Sequence, residues 1–164
     1  MQEGNISTSK IKLGVLLPTR GLLLRENRPE NADLILKMAK TVENANLDSV
    51  WVGDSLFAKP RLEPMTTLAA IASVTQRVRL GTAVLLMALR HPVLLAQSMA
   101  TVDLISNGRL LIAAGTGGAF NTEQQQEWRV AGVNQRTRSL RLEEMVQIQN
   151  CLLSTSPSPR DATL

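Results

Sequence analysis

The sequence predicts a parallel α/β fold, and three observations support that class. Four short apolar runs recur along the chain, they are continuous in hydrophobicity rather than alternating, and segments with helical spacing separate them. Continuous runs are typical of strands covered by helices, and strand–helix–strand units pair in parallel through right-handed connections. The predicted strands cover residues 12–17, 49–53, 78–85 and 109–115.

Four consecutive βα units are compatible with two architectures: an open doubly wound sheet and a TIM (β/α)₈ barrel. A barrel takes about 250 residues for eight units, or about 31 per unit. The strands begin at residues 12, 49, 78 and 109, which gives spacings of 37, 29 and 31 residues. This spacing suits a barrel of which about half is present, but spacing alone leaves both architectures open.

The helices are predicted from apolar stripes and from the residues at their ends. The first helix has one stripe within residues 35–45 and ends at Asn46, which tolerates the left-handed conformation. The second and third helices begin at Pro64 and Pro92, because proline's missing N–H costs nothing at the first helical position. The third ends at Asn107 and Gly108, and a fourth covers about residues 137–152.

Length and composition indicate one globular domain. The chain has 164 residues, of which 44% are hydrophobic and 20% are charged, so it can bury a core. We assign residues 11–153 to this domain. The Ser/Thr/Pro-rich tail 154–164 breaks the βα pattern, and we expect it not to be native sequence and the chain to be truncated.

Composition also excludes several classes of function. The net charge is +4, but the basic residues are scattered and aromatic residues make up 2%, which argues against nucleic-acid binding. One cysteine and one histidine cannot build a Cys/His zinc site or an intramolecular disulfide, so no metal site is expected. No apolar run approaches the roughly 18 residues of a membrane helix, and a cytoplasmic setting is the default expectation.

Candidate site residues follow the predicted strands, because ligands of parallel α/β proteins gather at the carboxyl ends of the strands. Gly115, Gly117 and Gly118 would let the backbone approach a flat or phosphorylated ligand. Asp54 follows an apolar strand and has either a structural or a ligand-binding role. His91 is interpreted mainly as a capping or loop residue. Residues 20–30 are either a polar loop that covers the site mouth or an ordinary surface loop. With no acid–base pair evident, the chemistry should come from a cofactor.

Several motifs, in their order, resemble the bacterial luciferase-like superfamily of flavin-dependent oxidoreductases. They are KLGVLLP, DSVWVGDS, VRLGTAVL, RHPVLLAQSMATVDLISNGRLLIAAGTGG, EWRVAGV and RSLRLEEM. The resemblance covers about residues 11–153, and residues 90–118 are its most specific part. Each motif alone is weak evidence, whereas their order and spacing together favour the family.

The resemblance implies a TIM barrel, often dimeric, that binds FMN or the deazaflavin F420 at the carboxyl-terminal mouth. It implies a bulge in the third strand with a non-prolyl cis peptide behind the flavin ring, at Ala83–Val84. It further implies cofactor contacts from residues that follow the second and fourth strands. These are Asp54, Ser55, Thr116, Gly117, Gly118 and Asn121.

The resemblance also implies a monooxygenase that uses reduced FMN and O₂ on a small organic substrate, with a flavin reductase as partner and a homo-oligomeric parent protein. Some F420-dependent dehydrogenases of the family carry histidine and glutamate where this chain has Ser55 and Gly118. That difference argues against their sugar-phosphate chemistry but leaves other F420-dependent hydride transfer open. A non-catalytic flavin-binding protein and an inactive fragment are the remaining alternatives.

Overall fold

A computed structural model of the chain describes residues 11–24 and 32–155. All strands of its four-stranded sheet are parallel and lie in the order β1-β2-β3-β4. Sequential parallel neighbours without a reversal of strand order are consistent with a partial barrel. The α/β class and the four strand positions are therefore confirmed. The strands are β1 (Gly14–Leu16), β2 (Ser49–Val52), β3 (Arg79–Leu85) and β4 (Leu110–Ala114).

Six α-helices follow these strands in the described part of the chain. The predicted starts at Pro64 and Pro92 are confirmed, and both prolines occupy the first turn of their helix. The predicted left-handed residues are also confirmed, with φ of 58° at Asn46 and 55° at Asn107. The helices are α1 (Thr19–Leu23), α2 (Asp33–Asn44), α3 (Pro64–Ala72), α4 (Pro92–Ile105), α5 (Thr122–Val130) and α6 (Arg138–Thr155).

The helix predictions were wrong or incomplete in three places. The start of the predicted loop 20–30 is helical within α1, while residues 25–31 lie outside the described residues. Helix α5 was not predicted, because its polar sequence TEQQQEWRV has no apolar stripe. Helix α6 runs to Thr155, two residues into the predicted tail, and residues 156–164 lie outside the described residues.

The two faces of the sheet differ in how they are covered. Val50, Val52 and Leu80 point to the outer face, where they are fully buried in the core formed with the helices. Leu16 points to the inner face and is 56% exposed. The indole of Trp51 lies across the inner face, over the neighbouring strands. The helical layer thus covers one face, and the other is open in the described part of the chain.

Charged side chains fasten the loops at the amino end of the strands. The Glu43 carboxylate accepts hydrogen bonds from the N–H groups of Gln76, Arg77 and Val78, at 2.9, 2.7 and 3.0 Å. The Arg109 guanidinium donates to the carbonyl oxygens of Val78 (2.8 Å) and Thr75 (2.8 Å). These bonds satisfy backbone groups that the turn before β3 leaves unpaired.

Candidate active site at the carboxyl ends of the strands

Strand β3 carries a bulge near its carboxyl end. Its register with β4 shifts between Ala83 and Leu85, and the Ala83–Val84 peptide bond is cis. Both features lie where the family resemblance implied them. Beyond the shift, the Gly115 N–H donates to the Leu85 carbonyl at 3.0 Å, so the end of β4 continues alongside the bulge.

The glycine-rich end of β4 packs directly against this bulge. A Cβ at Gly115 would lie 2.5 Å from Cγ2 of Val84, so only glycine allows this approach without a shift of the valine. Gly117 has a φ of 71°, and a Cβ there would lie 3.1 Å from the Trp128 ring. The bulge and residues 115–118 therefore meet at one rim of the sheet, as the sequence predicts for strand ends of one polarity. Val84 remains 42% exposed at that rim.

Asp54, at the end of β2, forms a buried ion pair. Its carboxylate accepts two hydrogen bonds from the Arg90 guanidinium, one of them to Oδ1 at 2.9 Å, and one from the Leu86 N–H at 2.8 Å. The side chain of Asp54 is 1% exposed. In this structure the carboxylate therefore joins the end of β2 to the segment after the bulge and to the start of α4.

The charges around this ion pair stabilise one another. Burial disfavours the charge on Arg90, but the hydrogen bonds and charges of Asp54 and Glu63 outweigh it, so the pKa of Arg90 is raised. Burial also opposes ionisation of Glu63. Hydrogen bonds from Thr66 and the charge of Arg90 prevail there, and the pKa of Glu63 lies below its ordinary value of 4.5. Arg90 and Glu63 are therefore both charged at neutral pH.

Ser55 is held in place by a helix that follows β4. Oε1 of Glu127, a buried residue on α5, accepts hydrogen bonds from the Ser55 hydroxyl (2.8 Å) and from the N–H groups of Phe57 (2.7 Å) and Ala58 (2.9 Å). Charge-assisted bonds of this kind are about twice as strong as neutral ones. The Glu127 side chain thus fixes the loop that follows β2.

The next residue on α5 fixes the loop that follows β4. Nε1 of Trp128 donates to the Gly118 carbonyl at 2.8 Å, and the ring is 2% exposed. The Asn121 side chain caps α5 by accepting from the Gln124 N–H at 2.9 Å. Thr116 is partly buried between these groups and the bulge. Helix α5 therefore anchors both candidate loops through neighbouring side chains.

A cation lies over the end of β2. The Arg61 guanidinium covers Gly53, and a Cβ on that glycine would lie 2.9 Å from Nη1 and 3.0 Å from Cζ. Gly53 follows Trp51 by two residues, so its missing side chain would point to the same inner face of the sheet. Arg61 therefore reaches the rim of the open face.

His91 occupies the N-cap position of α4, but its side chain makes no capping hydrogen bond. The interpretation of His91 as a loop residue at a helix start is thus confirmed in position, and capping by its side chain is not observed. The imidazole lines a groove of about 460 Å³ between α3 and α4, together with Glu63, Arg90 and Leu94.

The sequence predictions missed four residues that build this region. Arg90 sits inside the motif that contains His91, and an arginine that follows an apolar segment could have indicated a partner for Asp54. Glu127 and Trp128 lie in the motif EWRVAGV, but nothing in the sequence shows which loops they contact. Arg61 stands in a polar loop, where a lone arginine gives no signal.

Residues 11–24 and 32–155 contain neither a candidate metal site nor a candidate membrane span. No group of three histidine, cysteine or acidic side chains is arranged to hold a metal ion. No helix there combines the length and apolarity that crossing a membrane requires.

Comparison with known proteins identifies close relatives of two kinds. An F420-dependent glucose-6-phosphate dehydrogenase of Amycolatopsis mediterranei (strain U-32) is 38% identical over 94 residues, which are 53% of this chain and 28% of that protein. The oxygenase component of a flavin-dependent trigonelline monooxygenase of Acinetobacter baylyi is 29% identical over 116 residues, which are 70% of this chain and 31% of that protein. The chain thus spans about a third of the length of the curated relatives it matches.

Solved structures share the fold over most of the chain. A monooxygenase from Streptomyces bottropensis superposes with a TM-score of 0.69 at 27% identity, covering 85% of this chain and 42% of that one. The oxygenating constituent of 3,6-diketocamphane monooxygenase from Pseudomonas putida, solved with FMN, superposes with a TM-score of 0.70 at 19% identity, covering 87% and 39%. The second likeness establishes the fold alone.

The family model described as luciferase-like monooxygenase matches residues 11–161, nearly the whole chain. That match agrees with the parallel sheet, the bulge in β3 and the motifs that carry the resemblance. The chain belongs to the luciferase-like monooxygenase family.

Proposed function

We propose that the complete protein carrying this sequence is a flavin-dependent monooxygenase that takes reduced FMN, O₂ and a small organic substrate. The observation that carries the proposal is the meeting of the β3 bulge with the glycine-rich end of β4 on the open face of the sheet. Bound reduced flavin would supply the electrons that activate O₂. Because one relative is an oxygenase component, a separate flavin reductase is part of the proposal.

The residues at this rim fit a flat ring. Ala83 and Val84 offer a narrow apolar surface, and Gly115 and Gly117 leave the adjacent backbone bare. None of these four residues has a charged side chain. A planar ring needs such close approach to backbone, so these residues, with Thr116, Gly118 and Asn121 beside them, would hold it.

The surrounding side chains have supporting tasks in this proposal. Asp54 and Arg90 fix the segment after the bulge, and Glu127 fixes the loop that contains Ser55. Leu56 and Phe57, both exposed in that loop, would help to exclude water from the ring.

F420-dependent hydride transfer is the second candidate, because several relatives are F420-dependent dehydrogenases. Ser55 and Gly118 replace the histidine and glutamate expected in the sugar-phosphate subgroup, which supports a different substrate. A non-catalytic flavin-binding protein would retain flavin without turnover.

Titration of the complete protein with FMN and with F420 tests the proposal. We expect FMN to bind, and reduced FMN to support substrate-dependent O₂ consumption. Preference for F420 without O₂ consumption would favour hydride transfer, and binding of neither cofactor would contradict the cofactor assignment.

A substitution at the rim tests the ring's place. Gly115→Val would fill the space beside Val84 and should weaken flavin binding about tenfold or more, because overpacking costs about 1–3 kcal/mol. Gly21→Ala, where the new Cβ meets only an ordinary contact at 3.6 Å, is the control. Equal flavin affinity in both variants would place the ring elsewhere.

A further inference from the structure

Arg61 lies where a ligand at the rim would meet it. Its guanidinium covers Gly53 at the carboxyl end of β2, on the face of the sheet that carries the Trp51 indole. That face is open in the described part of the chain, and its exposed Leu16 lies on the neighbouring strand. Arg61 therefore lies at the carboxyl end of β2, and the neighbouring strand β3 carries Val84 at the same end of the sheet.

The charge of Arg61 is not used by the rest of the described structure. Its guanidinium makes no hydrogen bond or ion pair with any residue in 11–24 or 32–155. Arg90, by contrast, is paired with Asp54 and Glu63, and Arg109 is saturated by carbonyl oxygens. Arg61 is partly buried. Its N–H donors are therefore not taken up by the described residues and are available to an anionic ligand.

The loop around Arg61 is anchored on both sides. Before it, Glu127 holds the backbone of Phe57 and Ala58. After it, Glu63 caps α3 through the Thr66 N–H at 2.8 Å. The guanidinium is thus presented from a short segment between two fixed points. Such preorganisation lowers the entropy cost of binding.

We propose that Arg61 is an anion-binding residue of the active-site mouth, which takes the carboxylate or phosphate group of the bound small molecule. The planar guanidinium fork matches both groups with two parallel hydrogen bonds. Phe57, 40% exposed in the same loop, adds an apolar surface for the body of such a ligand. This inference rests on the proposed function, because the anionic group is assigned either to the cofactor or to the substrate of that function.

The test compares Arg61→Met with Lys59→Met in the complete protein. Both substitutions remove one positive charge from the same loop, but Lys59 is exposed, and the atoms nearest to the Cβ position of Gly53 belong to Arg61. Calorimetry measures the affinity of the flavin-free proteins for inorganic phosphate. Fluorescence titration then compares the affinity for FMN with that for riboflavin, which has the same ring without phosphate. A further titration measures the affinity of the flavin-loaded proteins for benzoate. Circular dichroism verifies folding of each variant.

The wild type and Lys59→Met are expected to bind phosphate, and Arg61→Met to lose about tenfold or more in affinity. If Arg61→Met also weakens FMN but not riboflavin, the cofactor's phosphate occupies the site. If both flavins bind alike and benzoate binding falls, the site takes a substrate carboxylate. Either result supports the proposal, whereas equal behaviour of the two variants towards all four probes overturns it.

Two further variants separate charge from position. Arg61→Lys keeps the charge and loses the fork, so we expect an intermediate loss of affinity. Gly53→Ala keeps the arginine but pushes its guanidinium aside, and a several-fold loss is expected. If no variant or wild type binds flavin, the proposed function fails, and the phosphate titration alone still decides whether Arg61 binds anions.

Discussion

The two ends of the sheet use charged side chains in opposite ways. At the amino end, Glu43 and Arg109 direct their charges to the protein's own backbone, at the turn before β3. At the carboxyl end, Asp54 and Arg90 neutralise each other beneath the rim, while the rim itself consists of glycine, small apolar residues and Arg61. Among the described residues, charges at the amino end hold the loops, whereas the proposed ligand site at the carboxyl end offers bare backbone and the guanidinium of Arg61.

The difference follows from what each end must satisfy. A turn that enters a parallel strand leaves N–H and C=O groups without partners, and a charged side chain satisfies several of them at once. A ligand site needs such groups unsatisfied by the protein until the ligand arrives. Stability and binding therefore divide between the two ends, as in barrels of this type.

The largest effect is expected from the open inner face. The 164-residue chain by itself should self-associate and bind flavin poorly, because Leu16 and the outer edges of β1 and β4 are uncovered in the described structure. Light scattering and FMN titration of this chain measure both properties. A monomer with micromolar FMN affinity would contradict the expectation.

The next effect concerns the ion pair beneath the carboxyl end. Arg90→Met leaves the Asp54 carboxylate buried without its partner and should lower the free energy of unfolding by about 3–5 kcal/mol. Urea unfolding of the complete protein at pH 7 measures it.

The double variant Asp54→Asn, Arg90→Met is the control for that measurement. It removes both charges, so its loss should be smaller than the sum of the two single losses. A loss below about 1 kcal/mol for Arg90→Met would show the pair to be no stronger than one at the surface.

A middle-sized effect is expected where Trp51 crosses the inner face. Gly81→Ala would place a methyl group inside the indole and should destabilise the protein by about 1–3 kcal/mol. Thermal unfolding provides the measurement, and Gly21→Ala, at a helical glycine where the new Cβ makes only an ordinary contact at 3.6 Å, serves as control. An unchanged unfolding midpoint for Gly81→Ala would mean that the indole does not lie over β3.

The smallest effect is a pH dependence that arises at the amino end. Burial opposes the charge of Glu43, but hydrogen bonds from the N–H groups of Val78, Arg77 and Gln76 outweigh it, and its pKa lies below 4.5. A group with a lowered pKa stabilises the folded state above its unfolded pKa, and this contribution is lost as the pH falls through the folded value.

Glu43→Gln should therefore be less stable than the wild type at neutral pH and should show a flatter decline of stability below about pH 4.5. Denaturant unfolding at about five pH values between pH 3 and pH 7 measures the decline of the unfolding free energy. Glu144→Gln, which changes an exposed carboxylate on α6, is the control. Identical curves for the two variants would refute a role of Glu43 in acid stability.

Local patterns predicted much of the fold. Pro64 and Pro92 marked helix starts, and Asn46 and Asn107 marked helix ends, because each residue has a backbone preference that acts without its neighbours. Helix α5 escaped prediction, since it has no apolar stripe and its Glu127 bonds to a loop about 70 residues earlier in the sequence. The partnership of Asp54 with Arg90, 36 residues apart, was hidden for the same reason.

The sequence by itself determined the order of strands and helices, the polarity that gathers residues 83–84 and 115–118 at one rim, and the family resemblance. These depend on periodicity and on local backbone preference. Only the tertiary structure decided that Asp54 forms an ion pair with Arg90 and that Arg61 lies over Gly53 at the end of β2. It alone also decided that α5 forms hydrogen bonds with the loops that follow β2 and β4. Side-chain partners depend on distances across the fold, and a linear pattern does not encode those distances.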